Sequence, residues 1–397
     1  MKGSIRLVKT SFLLVVSLLT VLYACVNTFE PELTPDTNLI VVDGFVTDMP
    51  GLQTIGISRS RSSRDSTTSV PIQRAAVTVT VNGTTALRLS EVQPGLYQFP
   101  ADFRGRVGST YQLRFRTEEG VTYESSVETM ASVPPVLRAY DQFNAQGIKI
   151  TADSRPVPAN DVYIDFQDPA GQTNFYLWRW RLYESQSWCA TCEQGRYKVV
   201  DIGPVGSGPI NVLGCVRDST LDRFTVFDYP CRGVCWDIFY STTVNTFADL
   251  YANGQLQVGR KVASIPIYQR DPALVVIEQL SLSPNAYRYY KLFADQTQNT
   301  GTLADTPPAP LAGNVRNLTN DRENVVGYFS AASVAVQPYK LTRQNVTSGS
   351  FQGLFYALNR RIPSLAFNPD GTRKGIPSAL CLPGRTRTDV TPPGWNQ

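Results

Sequence analysis

The sequence contains no histidine, and that absence removes more chemistry than any motif supplies. Ser-His-Asp triads, Cys-His pairs, His-ligated zinc and histidine proton shuttles are all excluded. Carboxylate-based glycoside hydrolysis and Ser-Lys chemistry survive, but no set of acids or nucleophiles stands out. The chain therefore reads as a non-enzyme with no catalytic residues, no resident metal and no cofactor. An excess of one charge is lacking too: 37 Lys and Arg stand against 33 Asp and Glu, which gives no electrostatic reason to expect nucleic acid as a partner. Long hydrophobic runs are also missing. The uncharged stretch from Ser11 to Leu22 is twelve residues, too short to span a bilayer comfortably.

That stretch has a different meaning. Lys2, Arg6 and Lys9 precede it and Leu22-Tyr23-Ala24-Cys25 follow it, the basic head, apolar run and small residue before a cut that describe an export signal over residues 1–24. Leu22 and Ala24 before Cys25 resemble a bacterial lipobox, in which the cysteine thiol takes a diacylglyceryl group and becomes the mature terminus. Tyr23 is bulkier than the small residue usual there. At about 0.8 kcal/mol per buried methylene, two or three acyl chains hold a protein on a membrane far longer than one. The bland alternative is ordinary cleavage that leaves Cys25 a free thiol. Residues 25–38 have no apolar period and read as a tether.

Behind Cys25 stand Cys189, Cys192, Cys215, Cys231, Cys235 and Cys381, an even six. In an exported chain they are disulfide candidates, up to three bridges with fifteen connectivities. The spacings Cys189-x2-Cys192 and Cys231-x3-Cys235 also suit a zinc knuckle, and disulfides are preferred outside the cytosol. Five of the six lie in a glycine-rich stretch of about 186–260 that reads as an insertion using cross-links in place of a core. Cys381 is expected to tie the irregular tail, 347–397, back to it.

Residues 39–133 read as strand after strand. Leu39–Thr47 is β-branched and apolar, Val77, Val79 and Val81 alternate with Thr78 and Thr80, and Tyr111, Leu113 and Phe115 alternate with polar neighbours. Asn82-Gly83, Pro94-Gly95 and Glu119-Gly120 mark turns. Seven short strands of period two argue for an immunoglobulin-like β-sandwich. The loop 59–69 carries three arginines among serines, an anion contact at most and more simply a solvated loop. Pro134-Pro135 marks a semi-rigid link into a second β-rich domain, 137–346.

There Tyr176, Trp178, Trp180 and Leu182 share one strand face while Arg179 and Arg181 share the other. Trp178, Trp180 and Trp188 are the candidates for stacking on a glycan or peptide, although a core strand explains the alternation without a ligand. Asp161, Asp165 and Asp168 suggest calcium or a carboxylate pair, and a solvated strand face explains them as well. Ser283-Pro284 supplies an N-cap and a first-turn proline for one helix running to about Asn299. Its stripe of Ala286, Tyr289, Tyr290, Phe293 and Thr297 is expected to pack on a sheet. Val325–Val336 gives the last strands.

Ser281-Leu282-Ser283, Ala286-Tyr287, Asn299-Thr300-Gly301, Gly313-Asn314-Val315 and Gly327-Tyr328-Phe329-Ser330-Ala331, with Val42-Asp43-Gly44, Ala76-Val77, Pro94-Gly95-Leu96-Tyr97 and Tyr123-Glu124-Ser125, resemble in order and spacing the domain-of-unknown-function family 4249. Leu303-Ala304 departs from the more aromatic pair expected there. The resemblance implies a lipoprotein of Bacteroidota, often encoded beside a TonB-dependent outer-membrane transporter, and supplies no catalytic residues. The functional expectation is an outer-membrane lipoprotein, anchored through its N-terminal lipid, that captures a peptide or glycan ligand for such a barrel. The alternative is a structural or adhesive surface lipoprotein without a transport role.

Overall fold

A computed structural model describes residues 39–62, 67–149, 156–201, 210–298, 311–349, 351–368, 371–372 and 375–396. The signal segment, Cys25 and the tether lie outside the described residues, as do Arg64 and residues 299–310 with Gly301 and most of the proline-rich stretch. Leu39–Arg59 and Val70–Gln397 form one compact unit, to which the architecture below belongs apart from the described residues of 60–69.

The chain folds mainly as strands. β1 (Leu39–Thr47), β2 (Thr54–Ser62), β3 (Thr67–Pro71), β4 (Ala76–Val81), β5 (Thr85–Arg88), β6 (Ser90–Gln93), β7 (Leu96–Gln98), β8 (Thr110–Arg116), β9 (Thr122–Ser125) and β10 (Glu128–Thr129) come first. β11 (Val136–Ile148), β12 (Val157–Gln167) and β13 (Phe175–Ser185) precede a lobe of β14 (Trp188–Glu193), β15 (Gly195–Asp201), β16 (Ile210–Arg217) and β17 (Val226–Pro230). β18 (Trp236–Tyr240), β19 (Asn245–Ala248), β20 (Leu256–Pro266) and β21 (Ala273–Ser281) lead into α1 (Pro284–Gln298). β22 (Val315–Asn317), β23 (Val325–Ala332), β24 (Val334–Leu341), α2 (Leu354–Asn359) and β25 (Arg387–Thr388) complete the order.

The first region is a two-sheet sandwich, β23-β1-β2-β7-β6 against β22-β9-β8-β4-β5. The period-two pattern delivers its core: Ile40, Val42, Ile55 and Ile57 from one sheet meet Val77, Val79, Leu113 and Phe115 from the other. Two of its strands are not local. β23 pairs in parallel with β1 over Ile40↔Val325 to Thr47↔Ala332, and β22 pairs with β9. Val325, expected in the second domain, and with it Phe329 and Ala331, thus sit in the core of the first. The physical reason is edge protection: β1 otherwise presents an unpaired ladder, and a parallel partner can reach it only by a long crossover.

Gly327 makes that pairing feasible. Its φ is +88°, and a Cβ there would lie 1.9 Å from the Val42 carbonyl oxygen. Ser333 then turns the chain from one sheet to another. Its hydroxyl donates to Asp48 Oδ2 at 2.5 Å, and the Val334 amide donates to Asp48 Oδ1 at 2.9 Å.

β24 enters the sheet β24-β21-β13-β18-β25, with β19 also on β13, and this faces the sheet β11-β12-β20. Val162, Ile164, Phe166 and Ile265 pack there against Tyr176, Trp178, Leu182, Val275 and Ile277. β21, an unbroken apolar run but for Glu278, Gln279 and Ser281, is buried along its whole length. On the opposite face of β13, α1 covers Leu177 and Leu280 with Ala286, Tyr289 and Tyr290. The Ser283 hydroxyl accepts from the Ala286 amide at 3.1 Å, the N-cap that the sequence announces.

The cysteine lobe is two antiparallel two-stranded sheets, β14 with β17 and the hairpin β15 with β16. All six candidate cysteines are bridged, as Cys189–Cys231, Cys192–Cys215 and Cys235–Cys381. The zinc-knuckle alternative fails because these sulfurs are in disulfides. The lobe has more core than expected, since Tyr197, Phe227 and Tyr229 are joined by Ala366 and Ala379 from the tail. That tail is not loose: β25 pairs with β18, and Trp395 meets Trp236 edge to face at 4.6 Å.

Candidate functional site

A cleft lies where β20 of one sheet passes the ends of β18 and β19 of the other, with a volume of about 810 Å³. That is within the range of roughly 300–1,000 Å³ usual for small-ligand sites. β13 contributes Trp180 and β18 contributes Phe239 and Tyr240. Thr242, Thr243 and Val244 form the following loop, and β19 adds Asn245. β20 supplies Gly259 to Pro266 except Ile265, and Tyr268 and Ile148 close the wall.

Backbone contacts set these groups. The Trp180 amide donates to Ser241 Oγ at 3.2 Å, and its carbonyl accepts from the Ser241 amide at 2.9 Å. Phe239 and Tyr268 lie 5.1 Å apart. The end of α1 holds the rim: Gln298 accepts from the Val244 amide and donates to the Val244 carbonyl, both at 3.0 Å. Asn245 Nδ2 donates to the Lys261 and Val262 carbonyls at 3.0 and 3.4 Å, which covers part of the free edge of β20.

Two cations line the cleft. Lys261 pairs with Asp161 Oδ1 at 2.8 Å. Burial alone would raise the Asp161 carboxyl, but its bonds from Lys261, Ser264 and Asn144 and the Lys261 charge outweigh it and hold the group below the ordinary range. Arg260 lies over the faces of Trp178 and Phe247 at 5.0 and 4.8 Å. Burial disfavours its charge. Its Nη2 donates to the Thr246 carbonyl at 3.1 Å, and its Nε is buried without an acceptor among the described residues.

Of the three tryptophan candidates only Trp180 reaches this cleft. Trp178 is 1% exposed and donates to Gln279 Oε1 at 2.8 Å, so it is core. Trp188 packs on Phe355, 5.8 Å away, and does not line the cleft. The face of β13 that carries Arg179 and Arg181 is not simply wet either, for both pair with Glu278, at 2.6 and 2.8 Å.

The three aspartates are not gathered into a site. Asp161 is buried beside Lys261, not solvated as a strand face predicts. Asp165 accepts from the Gly259 amide at 2.8 Å. Asp168 is raised by burial and by Asp249, against the bonds it accepts from Tyr176 and Gly254. Both Asp168 and Asp249 are sealed from solvent. A paired acid with no access has no substrate to protonate, so this arrangement serves the fold. The stretch 59–69, expected to be a solvated loop, is strand over its described residues: 59–62 end β2 and 67–69 begin β3, which pairs with β2.

Three of the fragments that carry the family resemblance, those with Ser283, Asn314 and Tyr328, converge elsewhere, around Glu128. This buried carboxylate accepts from Ser126 Oγ and the Tyr328 hydroxyl at 2.9 Å, from Asn314 Nδ2 at 3.3 Å and from Ser283 Oγ at 2.6 Å. Asn314 also brackets Phe329, accepting from its amide at 2.9 Å and donating to its carbonyl at 2.8 Å. Gly313 lies so close that a Cβ would stand 2.0 Å from the Gly327 carbonyl oxygen. These residues lock α1, β22 and β23 to the first sandwich. They are assembly residues, and sequence reasoning missed Glu128, whose acid sits outside every quoted fragment.

The family model described as "Domain of unknown function (DUF4249)" matches residues 26–337. No curated protein and no solved structure matches the chain. Among the described residues no helix is long and apolar enough to cross a membrane. On the extent of the match, the chain belongs to the DUF4249 family.

Proposed function

We propose that this DUF4249 protein is an outer-membrane lipoprotein, held by acyl chains on Cys25, that captures a ligand as the accessory subunit of a TonB-dependent transporter. The aromatic cleft between β20 and β18–β19 carries the capture part of this reading: stacking walls and polar atoms converge in one concave space of ligand size. The three bridges support an oxidising compartment beyond the cytosol. The basic and apolar leader ending at Cys25 supports export and anchoring.

Mild detergent extraction followed by affinity capture of the native protein tests the partnership. A large outer-membrane barrel is expected to co-purify in stoichiometric amount. Repeated isolation as a lone lipoprotein contradicts it and favours the structural or adhesive role instead.

A further inference from the structure

Among the described residues, several buried or half-buried arginines are matched with acids. Arg343 pairs with Glu184, Arg361 donates through Nη2 to Asp228 at 2.8 Å, Arg387 meets Asp237 at 2.7 Å, and Arg179 and Arg181 share Glu278. Arg260 has no carboxylate partner among the described residues. It is held on two aromatic faces, its charge is disfavoured by burial, and it lines the 810 Å³ cleft. The neighbouring Lys261 does not compensate, being itself a cation and already paired with Asp161. A half-buried, uncompensated guanidinium at the wall of a cavity is a site waiting for an anion, because an acidic ligand group restores the missing charge pair.

The rest of the wall says what carries that anion. Trp180, Tyr240 and Tyr268 give flat apolar faces, and Thr242, Thr243 and Ser264 give hydroxyls. Aromatic faces beside scattered hydrogen-bonding groups suit a saccharide ring, whose faces are apolar and whose edge is polar. An extended peptide fits less well, since strand addition needs a free edge and Asn245 already occupies the Lys261 and Val262 carbonyls of β20.

We propose that the cleft binds an acidic saccharide, with its carboxylate or sulfate on Arg260 and a sugar ring against the aromatic wall. This rests on the capture reading above and not on the transporter partnership.

The test is calorimetric titration of the full chain in detergent micelles with trigalacturonate, its methyl ester, the sulfated disaccharide neocarrabiose sulfate, which has no carboxylate, and trialanine. Binding of trigalacturonate or the sulfated disaccharide is expected, and the two arms tell carboxylate from sulfate. For a carboxylate ligand the ester should bind at least tenfold more weakly. Arg260→Gln should lower affinity for the bound acid at least tenfold at an unchanged melting temperature. Should Arg260→Gln unfold, Tyr240→Ala, at a half-exposed position, gives the second reading and should also weaken the acid by at least tenfold. Equal binding of ester and acid, tighter binding of trialanine, or no binding of either acidic saccharide by the folded wild type overturns the proposal. Failure here with a co-purifying barrel removes only the ligand class; success without a barrel removes only the partnership.

Discussion

Asp161 shows how a charged side chain can belong to the framework of a site without being its chemistry. The carboxylate is nearly sealed, yet it accepts from Lys261, Ser264 Oγ at 2.7 Å and Asn144 Nδ2 at 2.9 Å. Its folded pKa is lowered from the ordinary 3.8, so its ionised form stabilises the fold above that value, and the contribution is lost as pH falls through the lowered pKa. Asp161→Asn should therefore cost about 1–3 kcal/mol at neutral pH, read from urea unfolding. The gap to wild type should close as pH is taken toward 2; an equal gap at both ends of the range contradicts this assignment. Arg343 and Glu184 mark the other extreme, fully buried on both sides, with burial pushing the Glu184 carboxyl up against the pull of Arg343.

At the scale of elements, the parallel pair β1–β23 is the least local feature of the fold and depends on one position. Gly327→Ala places a Cβ into the Val42 carbonyl and forces an L-residue to φ +88°. The expected cost is on the order of 3 kcal/mol, measured as a shift in the denaturant midpoint, and a change below half a kcal/mol would mean that β23 does not lie on β1 as described. This element also marks what was legible beforehand. Seven of the sandwich strands (β1, β2, β4, β5, β7, β8 and β9), the cap at Ser283 and the aromatic alternation on β13 follow from period, turn residues and side-chain size, which are local. The pairing of β23 with β1 joins residues far apart in sequence and leaves no periodic trace. Trp180 was readable as an aromatic on the right strand face, whereas its exposure depends on where β20 ends up. Arg260 carried no signal at all: an arginine on a strand looks solvated until the absence of an acid around it is seen in three dimensions.

For the whole molecule, the cross-links and the tail decide integrity. Cys235–Cys381 closes 146 positions and fastens the tail that completes the lobe core with Ala366 and Ala379. Replacing both cysteines by serine should lower stability by about 2–5 kcal/mol and open the C-terminal segment to limited proteolysis. An unchanged midpoint and an intact tail would show that packing of Trp395 and α2 suffices. The larger proposition is that this stapled body works as a capture module held at the outer membrane, and it turns on the chemistry of one cysteine outside the described residues. Intact-mass spectrometry of the native, membrane-extracted protein is the direct measurement. A mature chain beginning at Cys25 with the added mass of a diacylglyceryl group is expected; an unmodified terminus on protein recovered from the soluble fraction would contradict anchoring.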